Sequence, residues 1–362
     1  MVEHIFSEND GNLDVLLNLT ITIIGYGNQG RAQALNMRDS GLKVIIGNRK
    51  DQYRKRAKKD CFEVFSIEEA TKLCDILFLL IPDEVMKEIY ENHIKDNLKD
   101  KGAIVFASGY NIAFNIIKPP KKHDVLLIAP RMIGVGVRER FLTNEGFFSF
   151  IHVENDASSK AQEILLALCK AIGTLKKGAF DISFKQEAVL DLFNEQAFGP
   201  VFGRVLLTSI FTLVDAGYPP EAVLIEMFMS EEMSYIYEKM AQVGLVKQVD
   251  FHSQTSQYGA MSRGIKFRNL PIKKEMKKIL ENIESGNFAK EWEKKSSKII
   301  FRFLKFFATK TRINKLEQKV RRNLKLKSIN YYEFEEPTID DSDITKKIMR
   351  ELKEFEDYIM EF

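Results

Sequence analysis

Thr20-Ile21-Thr22-Ile23-Ile24-Gly25-Tyr26-Gly27-Asn28-Gln29-Gly30 decides the fold. Five β-prone residues run into a GxGxxG turn, and Gly30 to Asp39 then reads as a helix. The first glycine permits the tight turn, the second lets the backbone approach a pyrophosphate, and the third lets helix and strand pack closely. Free N–H groups at the helix start then face the anion. Gly25, Tyr26, Gly27, Asn28, Gln29 and Gly30 are therefore candidate dinucleotide-binding residues. About twenty residues on, an NAD site places Asp or Glu on the ribose 2′-OH. Here the next strand ends Gly47-Asn48-Arg49-Lys50, with Arg54 and Lys55 behind and Asp51 the one nearby acid. Cationic groups suit a 2′-phosphate, so Arg49, Lys50 and Arg54 point to NADP rather than NAD.

Working outward, Val44 to Ile46, Ile76 to Ile81, Ala103 to Phe106 and Val125 to Ile128 read as strands, with Ser66 to Cys74 and Asp83 to His93 helical between them. Strands alternating with helices imply an α/β fold, a Rossmann-type parallel sheet covered on both faces. From about Phe184 the strand signals fade. Helical patterns take over through Ala216, Pro220 to Gly244, Ile272 to Glu284 and Phe288 to Leu326. The expected organisation is a cofactor domain over 1–182, an all-α domain over 183–328, and an acidic tail over 329–362. The tail's Ile344, Ile348, Leu352, Phe355, Ile359 and Phe362 keep helical spacing.

The composition excludes several classes. At 362 residues and 45% hydrophobic, the chain can bury a sizeable core, which rules out a disordered polymer. Its three cysteines, Cys61, Cys74 and Cys169, form no CxxC, so neither a disulfide scaffold nor a cysteine zinc site fits. The N-terminus lacks a signal-peptide pattern, and no apolar run is expected to reach membrane-span length; the expected location is cytoplasmic. The net charge of +3 hides a segregation. Lys294 to Lys327 carries +12 and Ser328 to Phe362 carries −7. A basic helix can serve nucleic acid or an anionic membrane. Ile299, Ile300, Phe303, Leu304 and Phe307 demand burial, however, so a solvated helix face is the preferred reading over either partner.

In the helical half, Asp191 and Glu195 stand i, i+4 on one face with no basic partner at the neighbouring turn. Two carboxylates so placed repel unless a proton or cation sits between them, and hard oxygens suit Mg²⁺. Glu226, near the start of another helix, is a third candidate ligand; solvated exposed acids are the competing explanation.

In order along the chain, the sequence resembles the ketol-acid reductoisomerase (acetohydroxy acid isomeroreductase) family from about Leu13 to Leu326. The motifs are Ile24 through Ala34, Leu80-Ile81-Pro82-Asp83-Glu84-Val85, Gly109-Tyr110-Asn111-Ile112, Ile128-Ala129-Pro130, Asp191-Leu192-Phe193-Asn194-Glu195-Gln196, Ala216-Gly217-Tyr218, Ser253-Gln254-Thr255 and Gly286 through Trp292. The resemblance implies an NADPH-binding Rossmann domain with Pro82, Asp83 and Gly109 near the cofactor, and a knotted helical domain holding two Mg²⁺ ions. It implies metal ligands at Asp191, Glu195 and Glu226 and a substrate contact at Ser253. Glu226 and Ser253 would come from a partner subunit, hence a homodimer with a shared site. The implied reaction shifts an alkyl group in a 2-hydroxy-2-alkyl-3-oxo acid and reduces the product, a step of branched-chain amino-acid synthesis.

Three positions depart from the family pattern. Ser108 replaces a His, Arg131 replaces a Lys and is followed by Met132-Ile133 instead of Gly-Pro, and Ser230 replaces a second Glu. Serine does not titrate near neutral pH, and Arg holds its charge where Lys can surrender a proton. Alkyl migration, which needs clamped oxyanions, loses most by these changes, whereas hydride transfer to a carbonyl could persist. The preferred reading is therefore a Mg-assisted, NAD(P)H-dependent reductase of a 2-keto acid. Arg131, Ser108 and Ser253 are its candidate catalytic residues, with Arg131 gripping the carboxylate of a small-molecule substrate. The alternatives are an ordinary ketol-acid reductoisomerase and a non-catalytic cofactor-binding paralogue.

Overall fold

The computed structural model describes residues 5–308 and 310–326, so the expected acidic tail and its terminal helix lie outside the described residues. The chain divides after Asp191 into two compact units.

In the first unit, the described residues form nine strands: β1 (Ile5–Phe6), β2 (Thr20–Ile24), β3 (Lys43–Gly47), β4 (Glu63–Phe65), β5 (Ile76–Leu79), β6 (Ala103–Phe106), β7 (Asp124–Pro130), β8 (Ser149–Asn155) and β9 (Ala179–Asp181). They make one sheet in the order β1-β9-β8-β7-β6-β5-β2-β3-β4. The run from β4 to β7 is parallel throughout. Beyond it, β8 joins β7 antiparallel with an irregularity at Val125/Leu126, β9 pairs parallel with β8, and β1 closes the edge antiparallel. The connecting helices are α1 (Asn28–Asp39), α2 (Gln52–Lys59), α3 (Ile67–Leu73), α4 (Asp83–Ile89), α5 (Tyr110–Ala113), α6 (Gly134–Leu142) and α7 (Ala161–Ile172).

Alternation along the strands supplies both faces of the sheet. Ile21, Ile23, Phe78, Val105 and Leu126 point to one core with Ala34, Met37, Leu165 and Leu168 of α1 and α7. Ile24, Leu77, Leu79, Ile104 and Leu127 point to the other with Ala70 of α3 and Met86 of α4. The strand order reverses direction between β2 and β5, and in such sheets the crevice outside the carboxyl ends at that point receives the ligand.

The helix α8 (Phe184–Phe193) follows, and the second unit is helical: α9 (Gly199–Asp215), α10 (Pro220–Leu224), α11 (Glu232–Val243), α12 (Gln254–Gly264), α13 (Ile272–Glu284), α14 (Asn287–Trp292), α15 (Lys295–Ala308) and α16 (Arg312–Asn323). Ile210, Val223, Leu224 and Val320 form one buried cluster, Phe303 with Ile299, Ile300 and Phe307 another, and α16 is pinned by Arg312 on Asp215 (2.6 Å) and Asn323 on Glu221 (2.9 Å). The helix expected over Pro220 to Gly244 is broken. After a wider turn at Ile225–Met229 the helix is interrupted at Glu231, whose φ of 64° lies in the left-handed region that L side chains rarely adopt. Phe288 to Leu326 likewise resolves into α14, α15 and α16. The expectation that nothing reaches membrane-span length is also corrected. The helical run Phe184–Asp215 is 32 residues long and apolar enough to cross a bilayer by length and composition.

Candidate active site

The dinucleotide turn is fixed by sterics. Gly25 has φ +93°, and a Cβ there would collide with the Leu80 carbonyl; a Cβ on Gly30 would strike the Gly25 carbonyl. By contrast, nothing lies near a Cβ built on Gly27, which leaves open space at the place where a phosphate approaches the backbone. The Tyr26 N–H donates to Asn48 Oδ1 (3.2 Å) and its hydroxyl to Asp60 Oδ2 (2.8 Å). Arg31 pairs with the same carboxylate at 2.7 Å, so the turn is anchored to the end of α2. Gln29 Nε2 donates to the Met132 carbonyl at 2.8 Å, which ties the turn to the segment after β7.

The three cationic candidates at the end of β3 differ in what they do. The Arg49 side chain is 82% exposed and reaches Asp51 at 2.8 Å, and Lys50 is exposed beside it. Arg54 turns inward: its guanidinium donates to the carbonyls of Asn48 (3.0 Å), Phe65 (3.1 Å) and Val64 (3.3 Å). It braces the loop, and Asp51 caps α2 by accepting from the Arg54 N–H. After β5, Pro82 precedes the first turn of α4, and Asp83 Oδ1 accepts from Asn111 Nδ2 at 2.7 Å, tying this loop to the turn after β6.

That turn and β7 build the charged centre. Ser108 is half-buried, and its hydroxyl accepts from the Tyr110 N–H at 3.3 Å. A Cβ on Gly109 would meet the Phe184 carbonyl, so only glycine lets α8 come this close. The Gly109 N–H then donates to Glu187 Oε2 at 2.6 Å. Arg131 leaves the end of β7 as a fork, with Nη2 on Glu187 Oε1 (2.7 Å) and Nη1 on Asp191 Oδ1 (2.8 Å). Its Nε donates to the Ala129 carbonyl (3.2 Å), and its guanidinium lies over Phe150, 4.9 Å from the ring centroid. Glu187 is fully buried, and burial pushes its carboxyl up to about 7 against the opposing pull of Arg131 and the Gly109 N–H. Asp191, one turn further along α8, is 39% exposed.

Sequence reasoning singled out Arg131 and Asp191, and the structure brings those two together. It passed over Glu187. The available signal was the spacing Glu187, Asp191, Glu195, three carboxylates at successive i, i+4 steps. Glu195, Glu226 and Ser253 belong to the second unit and are exposed. Ser253 caps α12, its hydroxyl accepting from the Ser256 N–H at 3.2 Å. Among the described residues no three His, Cys, Asp or Glu side chains converge on a metal position. Asp191, Glu195 and Glu226 nonetheless offer the hard oxygens that Mg²⁺ takes, so the donor chemistry fits the ion.

Comparison with known proteins extends this picture across both units. Residues 15–178 match the NADPH-binding domain of acetohydroxy acid isomeroreductase, and residues 184–325 match the C-terminal domain of ketol-acid reductoisomerase. The chain belongs to the ketol-acid reductoisomerase family. Among its relatives are the NADP(+) ketol-acid reductoisomerases of Methanopyrus kandleri and Petrotoga mobilis. The first is 39% identical over 88% of this chain and 97% of its own length; the second is 42% identical over 83% and 91%. A solved NADH-preferring ketol-acid reductoisomerase from an uncultured archaeon superimposes with a TM-score of 0.82 at 33% identity, covering 88% of this chain and 98% of that one. The protein is thus an oxidoreductase by family, with the Rossmann sheet and helical domain its sequence led us to expect. The family matches end at residue 325, before the acidic tail.

Proposed function

We propose that this chain acts as a ketol-acid reductoisomerase in both steps, using NADPH and Mg²⁺ to isomerise and reduce a 2-hydroxy-2-alkyl-3-oxo acid in branched-chain amino-acid synthesis. The observation that carries the reading is the Arg131–Glu187–Asp191 cluster beside a GxGxxG turn, in a chain matched to family members over nearly their full length. This displaces the reductase-only activity preferred from the sequence. Relatives named for the double reaction align over 83–88% of this chain, and Arg131 keeps a cation at the position, here on Glu187 and Asp191. The reductase-only activity stays as a second reading, because Arg131 is held by four partners and cannot surrender a proton as Lys can.

NADPH, when bound, supplies the hydride, and Mg²⁺, when bound, supplies the Lewis acidity that holds substrate oxygens. The chain's own residues do the rest. The open backbone at Gly27 would receive the pyrophosphate, Arg49 and Lys50 would meet the 2′-phosphate, and Pro82, Asp83 and Gly109 would lie toward the nicotinamide. Asp191 and Glu195 would hold the metal, with Glu226 supplied by a second copy of the chain. Arg131 orients a carboxylate, and the buried Glu187, with its carboxyl near 7, can hold a proton at Oε1 or Oε2 near neutral pH. Ser253 is assigned to the substrate.

A homodimer with a shared site accompanies this reading, and the cytoplasm is the compartment it implies. Its support is the apolar surface of the second unit, where Leu245, Val246, Phe251, Tyr258, Met261, Ile265 and Phe267 are all exposed, as are Phe198, Phe202 and Val205 on the long helix. A second copy covering them fits better than a bilayer, because the same helix carries Glu187, Asp191, Glu195 and Arg204. The test is Mg²⁺-dependent NADPH consumption with 2-acetolactate, with the product identified as the reduced dihydroxy acid. Absence of that product sinks the proposal.

A further inference from the structure

We propose that Arg131 is a resident cation of the carboxylate cluster, one that competes with the divalent metal for Asp191. The inference rests on the metal reading above and deepens it for this chain. Three observations carry it. First, the guanidinium is not a mobile surface group: Ala129, Glu187, Asp191 and the face of Phe150 fix its position and its plane. Second, it uses two separate N–H donors on two different carboxylates, a bridge that a planar fork can make and a point-like ammonium makes less well. Third, the two carboxylates are unequal. Glu187 is wholly buried and needs a permanent partner, whereas Asp191 is partly exposed and is the one a metal can reach.

The consequence follows from charge and geometry. The guanidinium neutralises Asp191 through Oδ1 at 2.8 Å. A divalent ion arriving at Asp191 must share that carboxylate with a positive charge already in contact with it, or displace the charge. Displacement is opposed by the Glu187 and Ala129 contacts, which hold the fork where it is. The metal therefore loads more weakly than the carboxylates alone would allow. The buried Glu187 stays paired whether or not metal is bound.

The experiment titrates Mn²⁺ into the full-length protein and follows the free-ion electron paramagnetic resonance signal, for wild type, Arg131→Lys and Arg131→Gln. NADPH binding, read by fluorescence, reports that the cofactor domain is folded in each. The expected result is affinity rising from wild type to Arg131→Lys to Arg131→Gln, with the last about tenfold or more above wild type, an order of magnitude being the scale of a single such contact. Metal taken up by the variants but not by wild type also supports the inference. Equal or weaker binding by both variants, with wild type still binding, overturns it and leaves the metal reading intact. No Mn²⁺ binding by any of the three, with NADPH still bound, overturns both. Should Arg131→Gln fail to fold, Arg131→Lys alone decides, because it keeps the charge and removes only the bridge.

Discussion

Arg131 and Asp191 lie 60 positions apart in the chain and meet through a 2.8 Å charge-assisted hydrogen bond. One stands at the carboxyl end of a central strand and the other on the helix that follows the sheet. The contact closes only because Gly109 lets that helix approach, so the geometry of three separate elements converges on one guanidinium. Replacing Asp191 by Asn keeps the shape but removes the charge that both Arg131 and a metal would use. We expect Asp191→Asn to lower Mg²⁺-dependent kcat by ~10²-fold or more, with NADPH affinity unchanged. Steady-state kinetics alongside a fluorescence titration would check this.

Glu187 is expected to matter both as the buried counter-charge of Arg131 and as a titrating group. In Glu187→Gln an amide oxygen can still accept from the Gly109 N–H, but the fork loses its buried counter-charge. We expect kcat to fall ~10–10²-fold and its pH dependence near 7 to flatten, because the group pushed up to about 7 is gone. A pH–rate profile that keeps its shape in the variant would remove Glu187 from the account.

Gly25 and Gly27 should fail in different ways. Gly25→Ala puts a Cβ at positive φ against a carbonyl and should cost the fold several kcal/mol, of order 3 or more. Gly27→Ala meets empty space, so Tm should stay within about 2 °C while NADPH affinity drops ~tenfold or more. Thermal melts paired with NADPH titrations separate the two effects; equal losses of Tm would contradict the assignment of open space to the cofactor.

Arg49 and Arg54 divide likewise. Arg54→Ala abandons three backbone carbonyls and should destabilise the protein by ~1–3 kcal/mol. Arg49→Ala removes an exposed side chain and should leave stability within ~0.5 kcal/mol while narrowing the preference for NADPH over NADH. The readouts are denaturant melts and the ratio of kcat/KM for the two cofactors.

His123 sits fully buried beside the start of β7, and burial holds its ring below the ordinary histidine value near 6.5, with Lys122 adding to the effect and Asp100 and Asp124 opposing it. Below that value the unfolded chain binds a proton that the native state resists. Stability is therefore full above about 6.5 and falls as pH drops through the depressed native value. We expect His123→Phe to lessen this acid-side loss, measured as the slope of unfolding free energy between about pH 6.5 and 5.

What could be read from the sequence follows the range of the forces involved. Gly25, Gly27 and Gly30 are legible because local sterics admit no substitute, and the central strands because both of their faces are buried. The two- and three-residue strands β1, β4 and β9 carry almost no pattern, since so few residues show no alternation and each is defined by the strand it pairs with. Arg54 looks like a phosphate ligand in the sequence and becomes a brace once Val64 and Phe65 fold against it. Glu187 looks like any helical acid. Its burial is set by Gly109, 78 positions away, and no local pattern reports that. Glu231 shows the same limit, because helical spacing continues through it while the backbone turns left-handed.

We propose that both halves of the double reaction survive in a chain with Ser108, Arg131 and Ser230. The direct measurement compares NADPH oxidation, with Mg²⁺ present, on 2-acetolactate and on the already isomerised 3-hydroxy-3-methyl-2-oxobutanoate. Turnover of both is expected. Turnover of the isomerised acid alone would contradict it and place the loss in the alkyl shift.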